Sequence, residues 1–231
     1  MTTDTAEWKR QATAFAVEFV ESGMVVGLGH GSTAIHAVKL IAERMKDGRL
    51  RDITGIPCSF QAEEEALRYG IPVTTLDARP SIDLTIDGAD EVDPGLNLIK
   101  GGGGALLREK IVAQASRRVV IVVDESKLSP RLGTKRNVPV EVIPFGWRSQ
   151  LAFLESLGAK VSHRRNADKS LFKTDQGNLI MDCRFGPIMA PRELVRVLES
   201  RAGIVEHGLF LDAVSEVVVA GATGVRHLKK A

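Results

Sequence analysis

The chain has 231 residues, 44% of them hydrophobic and 26% charged, enough for one large or two small domains with a core that needs no disulfide or structural metal. Lys plus Arg number 31 against 29 Asp plus Glu, so the net charge is +2 and the isoelectric point near 8.6 reflects a small imbalance spread along the chain. With 5% aromatic residues and no basic cluster, a nucleic acid partner is excluded as a first reading.

In chain order, Trp8, Ala12, Phe15 and Phe19 recur at helical spacing up to Ser22-Gly23. Residues 24–28 read as a buried strand, followed by a glycine turn and a helix with Ile35, Val38, Ile41 and Met45 on one face. The alternation continues with strands near 53–56, 73–76 and 82–86, a helix over 61–69, a helix over 105–116 and an apolar strand at 119–123. Repeated β-α-β units predict an α/β fold, a Rossmann-like, mostly parallel sheet covered on both faces. After Pro130 the pattern becomes strand (138–143), helix (147–157), two strands (160–164, 179–183) and helix (191–202), a small α+β unit of ferredoxin-like order. An apolar strand at 213–220 closes the series. The expected domains are 1–132 with 205–231, discontinuous, and 133–204.

Cys58 and Cys183 are too few for a disulfide framework or a four-thiolate zinc site, and read as buried thiols in a reducing compartment. Asp4, Glu7, Lys9, Arg10 and Glu18 break any signal-peptide core, and no apolar run approaches a membrane span. A soluble, cytoplasmic protein with no membrane partner is expected.

Three segments carry chemistry. Gly27-Leu28-Gly29-His30-Gly31-Ser32-Thr33 lies between strand and helix, where glycines turn backbone N–H groups toward an anion at the positive end of a helix dipole. Its G-x-G-x-G spacing fits neither the dinucleotide fingerprint nor a Walker loop, and suits a phosphate group. Asp87-Gly88-Ala89-Asp90-Glu91-Val92-Asp93 follows a strand end, where open α/β sheets bind ligands. Its carboxylates suit sugar hydroxyls or proton transfer better than a dedicated metal site. Glu91 and Asp93 read as a solvated loop, whereas Asp87 and Asp90 do not.

Lys100-Gly101-Gly102-Gly103-Gly104 is entropically expensive to order, which makes sense where a ligand must approach the backbone closely. Lys100 adds a fixed positive charge. Glu109, one turn into the next helix, has Ala105, Leu106, Val112 and Ala113 as helical neighbours; either a desolvated general base or an ordinary surface glutamate fits that spacing. Lys127 follows a strand end and is equally ambiguous. The five histidines have no metal-ligand spacing, and His207 reads as a turn residue.

The ordered set GLGHGSTA, DGADEVD, KGGGGALLREK, VDESK and GIVEHGLF resembles ribose-5-phosphate isomerase of the A type over nearly the whole chain. The resemblance implies an aldose–ketose isomerase of the non-oxidative pentose phosphate pathway, interconverting D-ribose 5-phosphate and D-ribulose 5-phosphate through an enediolate. It implies no metal or other cofactor and a homodimer or homotetramer. Residue by residue, it makes Glu109 the catalytic base, joined by Asp87 and Lys100. Substrate binding falls to His30, Gly31, Ser32, Thr33, Asp87, Gly88, Ala89, Asp90, Lys100, Gly101, Gly102, Gly103 and Lys127. His30 departs from the threonine usual in the family. The alternatives are a non-catalytic sugar-phosphate sensor of related fold, a nicotinamide oxidoreductase and a coenzyme A transferase.

Overall fold

The computed structural model describes residues 2–230; Met1 and Ala231, counted above in the larger domain, lie outside them. The elements are α1 (Thr2–Val17), β1 (Val25–Leu28), α2 (Ser32–Lys46), β2 (Thr54–Pro57), α3 (Phe60–Tyr69), β3 (Leu84–Asp87), β4 (Glu91–Val92), β5 (Leu98–Ile99), α4 (Leu106–Gln114) and β6 (Val119–Asp124). A short 3-10 turn (Glu125–Lys127) precedes β7 (Val138–Val142), α5 (Trp147–Ser156), β8 (Lys160–His163), β9 (Leu179–Arg184), α6 (Pro191–Glu199), β10 (Ile204–His207), β11 (Leu209–Phe210), β12 (Glu216–Gly221) and β13 (Gly224–Lys229). By packing, the chain forms two units, one of residues 2–89, 108–127 and 212–230, the other of residues 90–107 and 128–211.

The first unit is built on a six-stranded mixed sheet in the order β13-β12-β6-β3-β1-β2, parallel throughout except for β12 with β13. Strands β3, β6 and β12 are buried along their whole length, which is why β6 and β12 carry the apolar runs Val119–Val123 and Val217–Ala220. Alternate residues Val26, Leu28, Leu84, Ile86, Val120, Val122, Val218 and Ala220 pack with Ala12 and Ala16 of α1 and Val38 and Ile41 of α2. A separate cluster joins Ile56, Cys58 and Ile82 to Val112 of α4. The strand expected at 73–76 reduces to a single bridge between Gly55 and Val73: the Thr74 N–H donates to the Gly55 carbonyl, and the next rung would need an N–H from Pro57 of β2, which has none.

The second unit holds a four-stranded antiparallel sheet, β10-β7-β9-β8, and a three-stranded sheet, β11-β5-β4. Val138, Val140, Val142, Leu179, Met181 and Cys183 of the larger sheet pack with Leu154 of α5 and Leu198 of α6. Pro191 opens α6, a position where its missing N–H costs nothing. Residues 90–107 belong here because β4 and β5 pair with each other and β5 pairs with β11.

Among the described residues, no helix is long and apolar enough to cross a membrane.

Candidate active site

Strand register sets the first unit's site. Leu28 of β1 aligns with Pro57 of β2 on one side and with Ile86 of β3 on the other. The next residue of each strand, Gly29, Cys58 and Asp87, therefore emerges at the carboxyl edge of the parallel sheet. From β1 the chain proceeds to β2 on one side, whereas β3 leads to β6 on the other. This is the switch point where open α/β sheets bind ligands.

Gly29 donates its N–H to the Ile86 carbonyl at 3.0 Å. A methyl group at Gly29 would overlap the Asp87 carboxylate and lie 2.6 Å from its Cα, so only glycine permits this crossing. Asp87 is 3% exposed, and its Oδ1 accepts the N–H of His30 at 3.1 Å and of Gly88 at 2.7 Å. Gly31 has φ +90° and starts α2 without a side-chain cap, where the first-turn N–H groups have no intrahelical acceptor. A Cβ at Gly88 would sit 3.8 Å from Thr33 Cβ, which puts these two loops side by side. Lys9 of α1 donates to Ser32 Oγ at 3.2 Å. The His30 ring is turned aside, its Nδ1 2.9 Å from Ser59 Oγ.

Glu109 lies in the first turn of α4 and is 4% exposed, so it is not an ordinary surface glutamate. Asp87, Glu109 and Cys58 are all buried, and one donor atom from each lies within 4.8 Å of the others. Among the described residues this is the group of His, Cys, Asp and Glu side chains close enough to share a cation. Lys127 ends the 3-10 turn after β6 and is half-buried.

In the second unit, Lys100 is 3% exposed; its N–H donates to the Gly208 carbonyl at 2.9 Å and its Nζ lies 5.7 Å from the Phe210 ring centre. Asp90 Oδ2 accepts the Gly102 N–H at 2.7 Å. The Arg164 guanidinium donates to the Gly101 and Gly102 carbonyls at 2.8 and 3.1 Å and is itself paired with Asp182. Because a peptide is planar and trans, the Gly102–Gly103 unit then turns its N–H away from Arg164. Gly104 (φ +91°) abuts Phe172, where any side chain would overlap the ring.

Two carboxylates of the DGADEVD segment depart from the solvated loop expected of them. Glu91 is fully buried and accepts N–H groups from Gly133, Lys135 and Arg136 at 3.0–3.1 Å. Asp93 closes the β4–β5 turn by accepting from Asn97. Both organise backbone. His207 is buried at the end of β10, its Nδ1 accepting the Leu209 N–H at 3.3 Å, as a turn residue should.

A sequence-family model described as Ribose 5-phosphate isomerase A (phosphoriboisomerase A) matches residues 54–224. The chain belongs to the ribose 5-phosphate isomerase A family. It is 56% identical over 227 residues to ribose-5-phosphate isomerase A of Chloroflexus aurantiacus, covering 98% of this chain and 95% of that one. With the corresponding protein of Desulfatibacillum aliphaticivorans it shares 57% identity over 223 residues, 96% of this chain and 97% of the other. Among solved structures, ribose 5-phosphate isomerase A from Methanocaldococcus jannaschii superposes with a TM-score of 0.92 at 40% identity, over 97% of this chain and 99% of that one. A D-ribose-5-phosphate isomerase in complex with phospho-erythronic acid gives 0.96 at 40% identity, over 98% and 99%.

Within this family chain, sequence reading missed Lys9, Cys58 and Arg164. Lys9 and Arg164 stand 23 and more than 60 residues from the groups they touch, so no local spacing marks them. Cys58 follows a proline at the end of β2; only the registers of β2 with β1 and of β1 with β3 together bring it to Asp87.

Proposed function

We propose that this chain interconverts D-ribose 5-phosphate and D-ribulose 5-phosphate, a step of the non-oxidative pentose phosphate pathway. The observation that carries the reading is the buried Glu109–Asp87 pair at the sheet's carboxyl edge, in a member of this family. In the proposed reaction Glu109 takes the proton from C2 of the open-chain aldose. The electron pair moves into a C1–C2 double bond and the charge onto O1, forming the enediolate. O1 is protonated, O2 gives up its proton, and Glu109 returns a proton to C1, leaving the ketose. Lys100 and the N–H groups of Gly101–Gly103 are assigned to the developing oxyanion. Asp87 exchanges protons with sugar hydroxyls and assists ring opening. The phosphate is assigned to His30–Thr33 at the α2 N-terminus, with Lys127, and its binding positions the reacting carbons. Gly88, Ala89 and Asp90 complete the substrate-binding set. Proton transfer of this kind calls for a base and fixed donors, so the reading assigns no cofactor.

The proposed lobes are a Rossmann-like one, 1–132 with 205–231, and a ferredoxin-like one, 133–204. The six-stranded sheet and the β7-α5-β8-β9-α6-β10 order support a division into two lobes, with residues 90–107, 128–132 and 205–211 packing in the smaller unit. A homodimer or homotetramer in the cytoplasm is the assembly and location proposed.

The test is to mix chelator-treated protein with ribose 5-phosphate and follow ribulose 5-phosphate. Rapid conversion supports the isomerase. Saturable binding without conversion would replace it with the sugar-phosphate sensor.

A further inference from the structure

The mutual approach of Cys58 Sγ with the Asp87 and Glu109 carboxylates makes a second use of this site, and we propose that it is an inhibitory site for a thiophilic divalent cation, Zn²⁺ being the representative. The inhibition rests on the isomerase reading; the binding does not. Three donor atoms no more than 4.8 Å apart always share a point within about 2.8 Å of each. Zinc–oxygen and zinc–sulfur bonds of about 2.0–2.3 Å then require each donor to move inward by roughly 0.5–0.8 Å, within reach of small side-chain rotations. One sulfur and two carboxylate oxygens form a mixed donor set. Sulfur disfavours Mg²⁺ and Ca²⁺, which take oxygen ligands, and favours Zn²⁺ or Cd²⁺.

Electrostatics point the same way. All three side chains are buried, where a thiolate beside two carboxylates would be strongly repelled. A dication at their centre converts that repulsion into attraction as the thiol proton leaves. Three protein ligands leave a fourth tetrahedral position for water. The ion is no cofactor: coordinated to the Glu109 carboxylate, it occupies the lone pair that the proposed reaction needs for the C2 proton. Cys58 thereby makes the site sensitive to zinc without taking part in the isomerisation. Cys183, buried in β9, is outside the cluster and serves as the internal control.

The experiment titrates chelator-treated full-length protein with Cd²⁺ and follows the sulfur-to-cadmium charge-transfer absorbance. One equivalent per chain is expected in the wild type and in Cys183→Ser. The band should vanish in Cys58→Ser, and Glu109→Gln, which keeps the thiol, should bind at least about tenfold more weakly. In the isomerase assay Zn²⁺ should inhibit the wild type, and Cys58→Ser should need at least about tenfold more zinc. A band that persists without Cys58, no band in the wild type, or equal zinc sensitivity in Cys58→Ser overturns the proposal. The cadmium titration reads the site whether or not the protein turns over sugar phosphate, so failure of the isomerase reading is a separate result.

Discussion

The backbone N–H of His30 donates to Asp87 Oδ1 at 3.1 Å, while the His30 ring turns to Ser59. The main chain at position 30 fixes the carboxylate, so the side chain there is exchangeable. His30→Thr is expected to keep most of the turnover. Steady-state kinetics on ribose 5-phosphate check this, and a collapse of kcat would show that the imidazole takes part in the reaction.

Gly29→Ala should be far more damaging. Its Cβ would overlap the Asp87 carboxylate and press on the Asp87 backbone at 2.6 Å, where β3 cannot yield without breaking its pairing with β1. A loss of about 1–3 kcal/mol in denaturant stability is expected, with turnover reduced as well. An unchanged midpoint would mean that the two loops separate freely.

Arg164→Ala tests whether the glycine loop is held from behind. The guanidinium fixes the Gly101 and Gly102 carbonyls and is paired with Asp182. Without it the loop N–H groups lose their aim, and kcat should fall about 10²-fold with the fold intact by circular dichroism. A normal kcat would show that Asp90 and Phe172 suffice to hold the loop.

Glu141 makes a pH-dependent contribution in the second unit. Burial pushes its carboxyl above the ordinary glutamate range, and the bonds from Asn178 and Thr174 offset this only in part. The folded state therefore holds the Glu141 proton more tightly than the unfolded chain, and stability falls as pH rises through the folded value. Both donors converge on Oε1, so a glutamine carbonyl can accept them without a charge. Glu141→Gln should match the wild type below the ordinary glutamate value of about 4.3 and become progressively the more stable as pH rises above it. Denaturant midpoints across that range check this; a stability difference independent of pH would contradict it.

Much of this architecture was legible because period and punctuation agree. Apolar runs such as 119–123 and the glycine turn before α2 need only local signals. The two-residue strands β4, β5 and β11 carry too little pattern to be read, and β13 is a half-exposed antiparallel edge without an apolar run. Glu91 looked like loop acid because its three N–H partners lie more than 40 residues downstream. Lys9, Cys58 and Arg164 were invisible for the same reason: tertiary register brings them to their partners.

The most direct measurement compares wild type and Glu109→Gln, both chelator-treated, in ribose 5-phosphate isomerisation. The account predicts rapid conversion by the wild type, with kcat lowered about 10²–10⁴-fold in the variant while sugar-phosphate binding persists. Near-normal turnover by Glu109→Gln would contradict the assignment of the base, and binding without turnover by the wild type would contradict the isomerase itself.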